Sequence, residues 1–276
     1  MNAKDSYQLV ALDMDGTLLN TAHETTEYTR NALERAAKAG KVVALSTGRC
    51  LSELTEHLSA IPGIGYVIGE NGACVYRASD FQMIHQVVLD DAEVAYAFEA
   101  SRDLDAVCQA FIDNRSYMEG AFDESLKRYH IYHFVEVFRA GSDLVDDLPK
   151  LCRDRAGHIE KVNLYFSTKA DLDTFRHRME GRRVATADSI GLGFEISPLE
   201  ATKANGLKAL CGHLGIPIEQ TMAVGDGGND LDIMGAAGLS VAMANAIDEV
   251  RSRADVLTDD CDHDGAARAV EKYLLG

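Results

Sequence analysis

Short apolar runs alternate with amphipathic stretches near both ends of the chain. YQLVAL (7–12) reads as a buried strand, and ETTEYTRNALERAAKAG (24–40) as a helix stopped by Gly40. KVVALST (41–47) is a second strand, RCLSELTEHLSAI (49–61) a second helix, and GYVIGENGA (65–73) a third strand running into a Gly-rich turn. The rhythm returns late in the chain. A helix over 203–215 is followed by a strand over 221–225, a short helix over 229–238, a strand over 239–243 and closing helices. Such alternation predicts an α/β fold: a parallel sheet with helices on its faces.

Between Ile84 and Thr186 the pattern is less regular. Strands are expected at 106–112, 133–138 and 161–166, with helices at 91–102, 146–155 and 170–180. An α+β domain over 84–186, inserted into a core formed by 1–83 and 187–276, accounts for the change of style.

Composition then narrows the function. The 276 residues carry a formal net charge of -17, which argues against general binding to nucleic acid or to anionic membranes. A small anionic substrate stays possible if a metal or local positive charge receives it. The six cysteines form no C-x-x-C pair, so reduced thiols and a cytoplasmic setting are expected. No apolar stretch has the length of a signal or a membrane span.

Four polar stretches interrupt the pattern. In ALDMDGTLLN (11–20), Asp13 and Asp15 close a core strand. Two neighbouring carboxylates ionise together only around a cation, for which Mg²⁺ suits the all-oxygen ligands, or one of them keeps a proton. An ordinary Asp-Gly turn is the alternative. ALSTGRC (44–50) ends the next strand with Thr47, Gly48 and Arg49, groups suited to a phosphate oxygen or to a plain helix cap. Lys203 stands at the start of a long helix, where the dipole disfavours a cation unless an anion joins it. VGDGGNDLDIM (224–234) brings Asp226, Asn229 and Asp230 to another strand end. Acids for a cation, together with hydroxyls and a lysine for an anion, describe phosphoryl transfer.

The chain resembles the haloacid dehalogenase-like hydrolase superfamily, in its Cof-type phosphatase branch. LDMDGTLL, STGR, ENGA, Lys203, GDGGNDLDIM and VAMANA carry the likeness, in the family's order. The central segment corresponds only in length and placement. The resemblance implies a Rossmann-like core with helices on both faces of its sheet, plus an inserted α+β cap. It makes Asp13 the nucleophile and Asp15 the acid and base, with Asp15 carrying the proton. Mg²⁺ is expected on Asp13, the Asp15 carbonyl and Asp226, with Asp230 behind the metal or orienting Lys203. Thr47, Gly48, Lys203 and Asn229 are implied as phosphate ligands, Asn71 as a residue at the substrate rim, and Arg49 as a substrate ligand or a loop buttress. Two departures, Ala204 for glycine and Cys261 for asparagine, touch no implied role.

The resemblance thus implies a Mg²⁺-dependent phosphatase of small phosphorylated metabolites, sugar phosphates foremost, acting through an aspartyl phosphate. A cap would close over the site, with DNRSYMEG (113–120) and KRYHIYH (127–133) as polar reading loops. A sugar phosphomutase and a non-catalytic phosphate-binding or regulatory module are the alternatives. Phosphate release from several sugar phosphates separates a phosphatase from a mutase.

Overall fold

The structure is a computed structural model that describes residues 7–276. In chain order its strands are β1 (Leu9–Leu12), β2 (Val42–Ser46), β3 (Ile64–Gly69), β4 (Cys74–Arg77), β5 (Met83–Gln86), β6 (Ala106–Ile112) and β7 (Arg115–Glu119). They continue as β8 (Ser142–Val145), β9 (Ile159–Phe166), β10 (Ala185–Ser189), β11 (Gly193–Ser197), β12 (Thr221–Gly225), β13 (Leu239–Ala242) and β14 (Val256–Leu257). The chain folds as two compact units. The first ends its opening segment at Arg49 and adds Glu56–Gln86 and Thr202–Gly276; the second holds Cys50–Thr55 and Val87–Ala201.

The first unit is built on a sheet of order β14-β13-β12-β1-β2-β3-β4-β5. β12, β1, β2 and β3 run parallel, whereas β4 and β5 turn back antiparallel. β1 and β12 are buried along their whole length, as strands covered on both faces must be, which is why they read as unbroken apolar runs. Each such Leu or Val side chain contributes about 1.5–3 kcal/mol by leaving water. Helix Glu27–Lys38 starts at Thr26, whose side chain caps the Thr29 amide. Helix Lys203–Leu214 starts at Thr202, whose side chain caps the Asn205 amide, and stops at Gly215 in the left-handed region.

The second unit has a sheet of order β10-β11-β9-β6-β7-β8. One face packs Ala110, Ile112, Leu164 and Phe166 against Val94, Leu148 and Phe175 of its helices. The other face carries Gln109, Lys161, Asn163 and Glu195, with Lys161 paired to Glu195 at 3.4 Å.

Several sequence expectations change here. HFVEVF (133–138) is not a strand: it lies in a short 3-10 turn and the helix Val135–Gly141. Val135 and Phe138, three apart, bury one helical face against Leu126 and Ile131. The expected helix over 49–61 is broken at Leu54. Its first part belongs to the second unit, where the Ser52 hydroxyl donates to the Gly141 carbonyl at 2.6 Å. Residues 115–119 of the expected reading loop form β7, with Arg115 ion-paired to Asp143. The second unit also runs past the expected boundary at Thr186, because β10 and β11 pair antiparallel with each other and β11 with β9. Among the described residues no helix is long and apolar enough to cross a membrane, and every cysteine is a free thiol.

Candidate active site

The parallel strands of the first unit end side by side, so the residues that follow them converge, as at the carboxyl edge of other open α/β sheets. Asp13 follows β1 and its N–H donates to the Val224 carbonyl of β12 at 2.9 Å. Thr47 follows β2 and its N–H donates to the Ile68 carbonyl of β3 at 2.9 Å. Asp226 follows β12. A cavity of about 270 Å³ opens between them. Asp13, Asp15, Thr47, Gly48 and Arg49 line one side, and Asp226, Gly227 and Asn229 the other. Asn71, Lys203 and Asp230 are not among its lining residues.

Lys203 enters beneath this cavity. Its Nζ donates to Asp13 Oδ1 at 2.6 Å and to Asp230 Oδ1 at 2.7 Å, and its side chain is 0% exposed. The conflict of a cation at a helix start is therefore relieved inside the protein, by Asp13 and Asp230. The Asp232 carboxylate also accepts the Ala204 amide at the same helix start, at 3.0 Å. Asp230 is fully engaged: its other oxygen accepts the Asp226 and Gly227 amides, each at 3.0 Å. Of the two positions expected for Asp230, its contacts are those of a group orienting Lys203.

Burial sets the electrostatics. It pushes the Asp13 carboxyl up from 3.8 to about 7, against the Lys203 ammonium that draws it down and with Asp230 adding to the rise. Burial likewise raises Asp226, opposed by the Thr17 hydroxyl bond. Burial alone would lower Lys203, but Asp13 and Asp230 outweigh it and hold the ammonium above its ordinary value.

Asp15 lies in a different environment. Its side chain is 49% exposed, and Arg49 grips both oxygens, Nη2 to Oδ1 at 2.6 Å and Nε to Oδ2 at 3.1 Å. This fork-to-fork contact is how a guanidinium meets a carboxylate anion, so the proton expected on Asp15 needs Arg49 to yield an oxygen. Arg49 is thus placed on Asp15, a contact the sequence did not suggest.

Other contacts escaped the sequence reading. Thr17 Oγ1 donates to Asp226 Oδ1 at 2.8 Å, tying the first motif to the last. Gly16, at φ 80°, leaves room for Asp226: a Cβ there would lie 2.5 Å from Asp226 Oδ2. Asn245 donates to the Gly16 carbonyl at 2.7 Å and accepts the Cys261 amide at 3.0 Å. VAMANA had marked the neighbourhood of Asn245 without giving it a task.

One oxygen from each of Asp13, Asp226 and Asp230 lies within 4.8 Å of the others. Three buried or half-buried carboxylates against one lysine leave negative charge over, and oxygen donors alone suit a hard divalent cation. Since Lys203 and two amides occupy Asp230, Asp13 and Asp226 are the side chains with donor capacity left. The residues present therefore fit such an ion.

Fold and site together define a doubly wound α/β protein with a carboxylate–lysine cluster at the carboxyl edge of its parallel strands. The sequence model of the haloacid dehalogenase-like hydrolases matches residues 10–270, and the chain belongs to that family of enzymes. YxeH of Bacillus subtilis (strain 168) is 30% identical, over 98% of this chain and 99% of its own. The 5-amino-6-(5-phospho-D-ribitylamino)uracil phosphatase YcsE of the same organism is 28% identical, over 97% of this chain and 96% of its own. In fold, the chain matches a haloacid dehalogenase-like hydrolase from Bacteroides thetaiotaomicron with a TM-score of 0.85 at 24% identity, covering 97% of this chain and 99% of that one.

Proposed function

We propose that this hydrolase is a Mg²⁺-dependent phosphatase of small phosphorylated metabolites, with sugar phosphates as the favoured class. The observation that carries the reading is the buried Lys203 bridge between Asp13 and Asp230, set beside Asp226 at the foot of a small polar cavity. The name of the relative YcsE, which specifies a phospho-D-ribityl compound, supports the substrate class.

A phosphoryl group in the cavity meets Thr47, the Gly48 backbone and Asn229. Lys203, buried behind Asp13 and outside the cavity lining, orients that carboxylate and adds positive charge beneath the phosphoryl group. An oxygen of Asp13 attacks phosphorus and the bond to the leaving oxygen breaks. Asp15, released by Arg49 and protonated, gives its proton to that oxygen. Water then attacks phosphorus, Asp15 takes the water proton, and the bond to Asp13 breaks to restore its carboxylate. Mg²⁺ held by Asp13, the Asp15 carbonyl and Asp226 would supply countercharge for the phosphate dianion.

Release of inorganic phosphate from a panel of sugar phosphates, nucleotides and phosphorylated cofactors, with and without Mg²⁺, tests the reading. Asp13→Asn is expected to fold and to release none. Wild-type turnover by that variant would remove Asp13 as nucleophile. Isomerised sugar phosphate without free phosphate would point to the mutase, and no turnover of any ester to the non-catalytic module.

A further inference from the structure

The turn after β3, expected from the sequence as Gly-rich, is left-handed beyond its glycine. Glu70, Asn71 and Gly72 take three successive left-handed φ values, 51°, 53° and 96°. Residues with a Cβ hold this conformation at a cost and keep it where their surroundings fix it. Here the surroundings are two parts of the site. On one side the Glu70 amide donates to the Arg49 carbonyl at 3.0 Å and the Asn71 amide to the Thr47 carbonyl at 2.9 Å. Both carbonyls that flank Gly48 are thereby tied to the turn. The Asn71 carboxamide also lies against Gly48, where a Cβ would be 3.2 Å from its Oδ1.

On the other side the turn meets the start of the Lys203 helix. A Cβ on Gly72 would lie 2.0 Å from the Thr202 carbonyl oxygen and 3.0 Å from the Lys203 nitrogen. One helical turn on, a Cβ on Gly206 would lie 2.4 Å from Ile68 Cγ2 and 3.1 Å from Gly72 Cα. At Gly72 backbone therefore packs directly on backbone, at Gly206 the helix also meets the Ile68 side chain, and the helix that carries Lys203 is seated on the turn that holds the Thr47–Gly48 loop.

We propose that Glu70–Asn71–Gly72 is a positioning turn that fixes the separation between the Thr47–Gly48 loop and Lys203, and with it the frame that receives the phosphoryl group. This assigns Asn71 to positioning rather than to contact with the leaving group, and it rests on the phosphatase reading above. The phosphoryl group is common to every ester. A disturbed frame therefore lowers turnover by one factor for all substrates, whereas a lost rim contact changes KM for some and not others.

The test compares Asn71→Val, Asn71→Gly and Gly206→Ala on p-nitrophenyl phosphate, a hexose phosphate and a nucleoside monophosphate, with thermal unfolding followed in parallel. Asn71→Val opposes the left-handed backbone and is expected to lower kcat about 10- to 100-fold, the scale of an ångström-sized misplacement, equally for each ester. Asn71→Gly, which permits that backbone, is expected to lose less. Gly206→Ala favours the helix yet pushes its start off Ile68 and Gly72, so it gives a uniform loss in a folded protein even if Asn71→Val does not fold. Wild-type kcat in a folded Asn71→Val or Gly206→Ala protein, or a loss confined to KM for particular esters, overturns the proposal. So does an equal loss in Asn71→Gly and Asn71→Val, which would place the effect in the carboxamide. A wild-type protein that turns over none of the esters refutes the phosphatase reading first, and the proposal with it.

Discussion

Lys203 concentrates the chemistry of single residues. It is wholly buried and holds two carboxylates at hydrogen-bond distance, so its removal strands charge where water cannot compensate it. Replacing it by methionine keeps the volume and deletes the ammonium. The loss of one partner from a buried pair costs about 3–5 kcal/mol, to be read as a lower urea midpoint near neutral pH. Turnover is expected to fall about 10²- to 10³-fold, as when one preorganised charge donor to a transition state is lost. A Lys203→Met protein with wild-type midpoint and kcat would contradict the placement of this residue. The position was legible as an anomaly, a cation where a helix dipole repels one. Its partners were not, because Asp13 and Asp230 reach it only through the sheet order.

At the scale of elements, the loop after β1 and the loop after β12 work as a pair. Gly16 clears the space for Asp226 and Thr17 hydrogen-bonds to it, so one loop orients the carboxylate supplied by the other. Thr17→Val keeps the shape and removes the hydroxyl. It is expected to raise the Mg²⁺ concentration for half-maximal activity about 10- to 100-fold, the usual effect of deleting a group that orients a metal ligand. An unchanged Mg²⁺ dependence would show that Asp226 needs no such support. This pairing also marks what an apolar pattern can reveal. Parallel strands such as β1 and β12 are read from their unbroken apolar runs, and the acids after them stand out by contrast. Thr17 and Asn245 are ordinary polar residues until the fold closes a distance across the chain. The segment 133–138 misleads for another reason. Its apolar residues at 134, 135, 137 and 138 fit two periodicities, and only packing on Leu126 and Ile131 selects the helix.

For the whole molecule, the question is how a chain of net charge -17 keeps an acidic cluster at the edge of its core. Without a cation the cluster opposes folding. Burial lifts Asp13 from 3.8 to about 7, so between these values the folded protein binds a proton that the unfolded chain has released. Stability therefore falls as pH rises through this window and levels off above it, and the burial-raised Asp226 adds to the same trend. Asp13→Asn lacks the titrating group, so the difference between its melting temperature and that of the wild type isolates the effect. In chelator, the wild type is expected to lose ground to Asp13→Asn between about pH 5 and about pH 7.5. On the proposed reading Mg²⁺ is held by the deprotonated carboxylates, so it should raise the wild-type melting temperature more at the higher pH and flatten the dependence. It should do much less for Asp226→Asn, which lacks a charged donor. If the difference in chelator does not vary with pH, the buried carboxyl is not the source of the strain. If Mg²⁺ stabilises Asp226→Asn as well as the wild type, the cation is held elsewhere and the cluster is balanced by Lys203 alone.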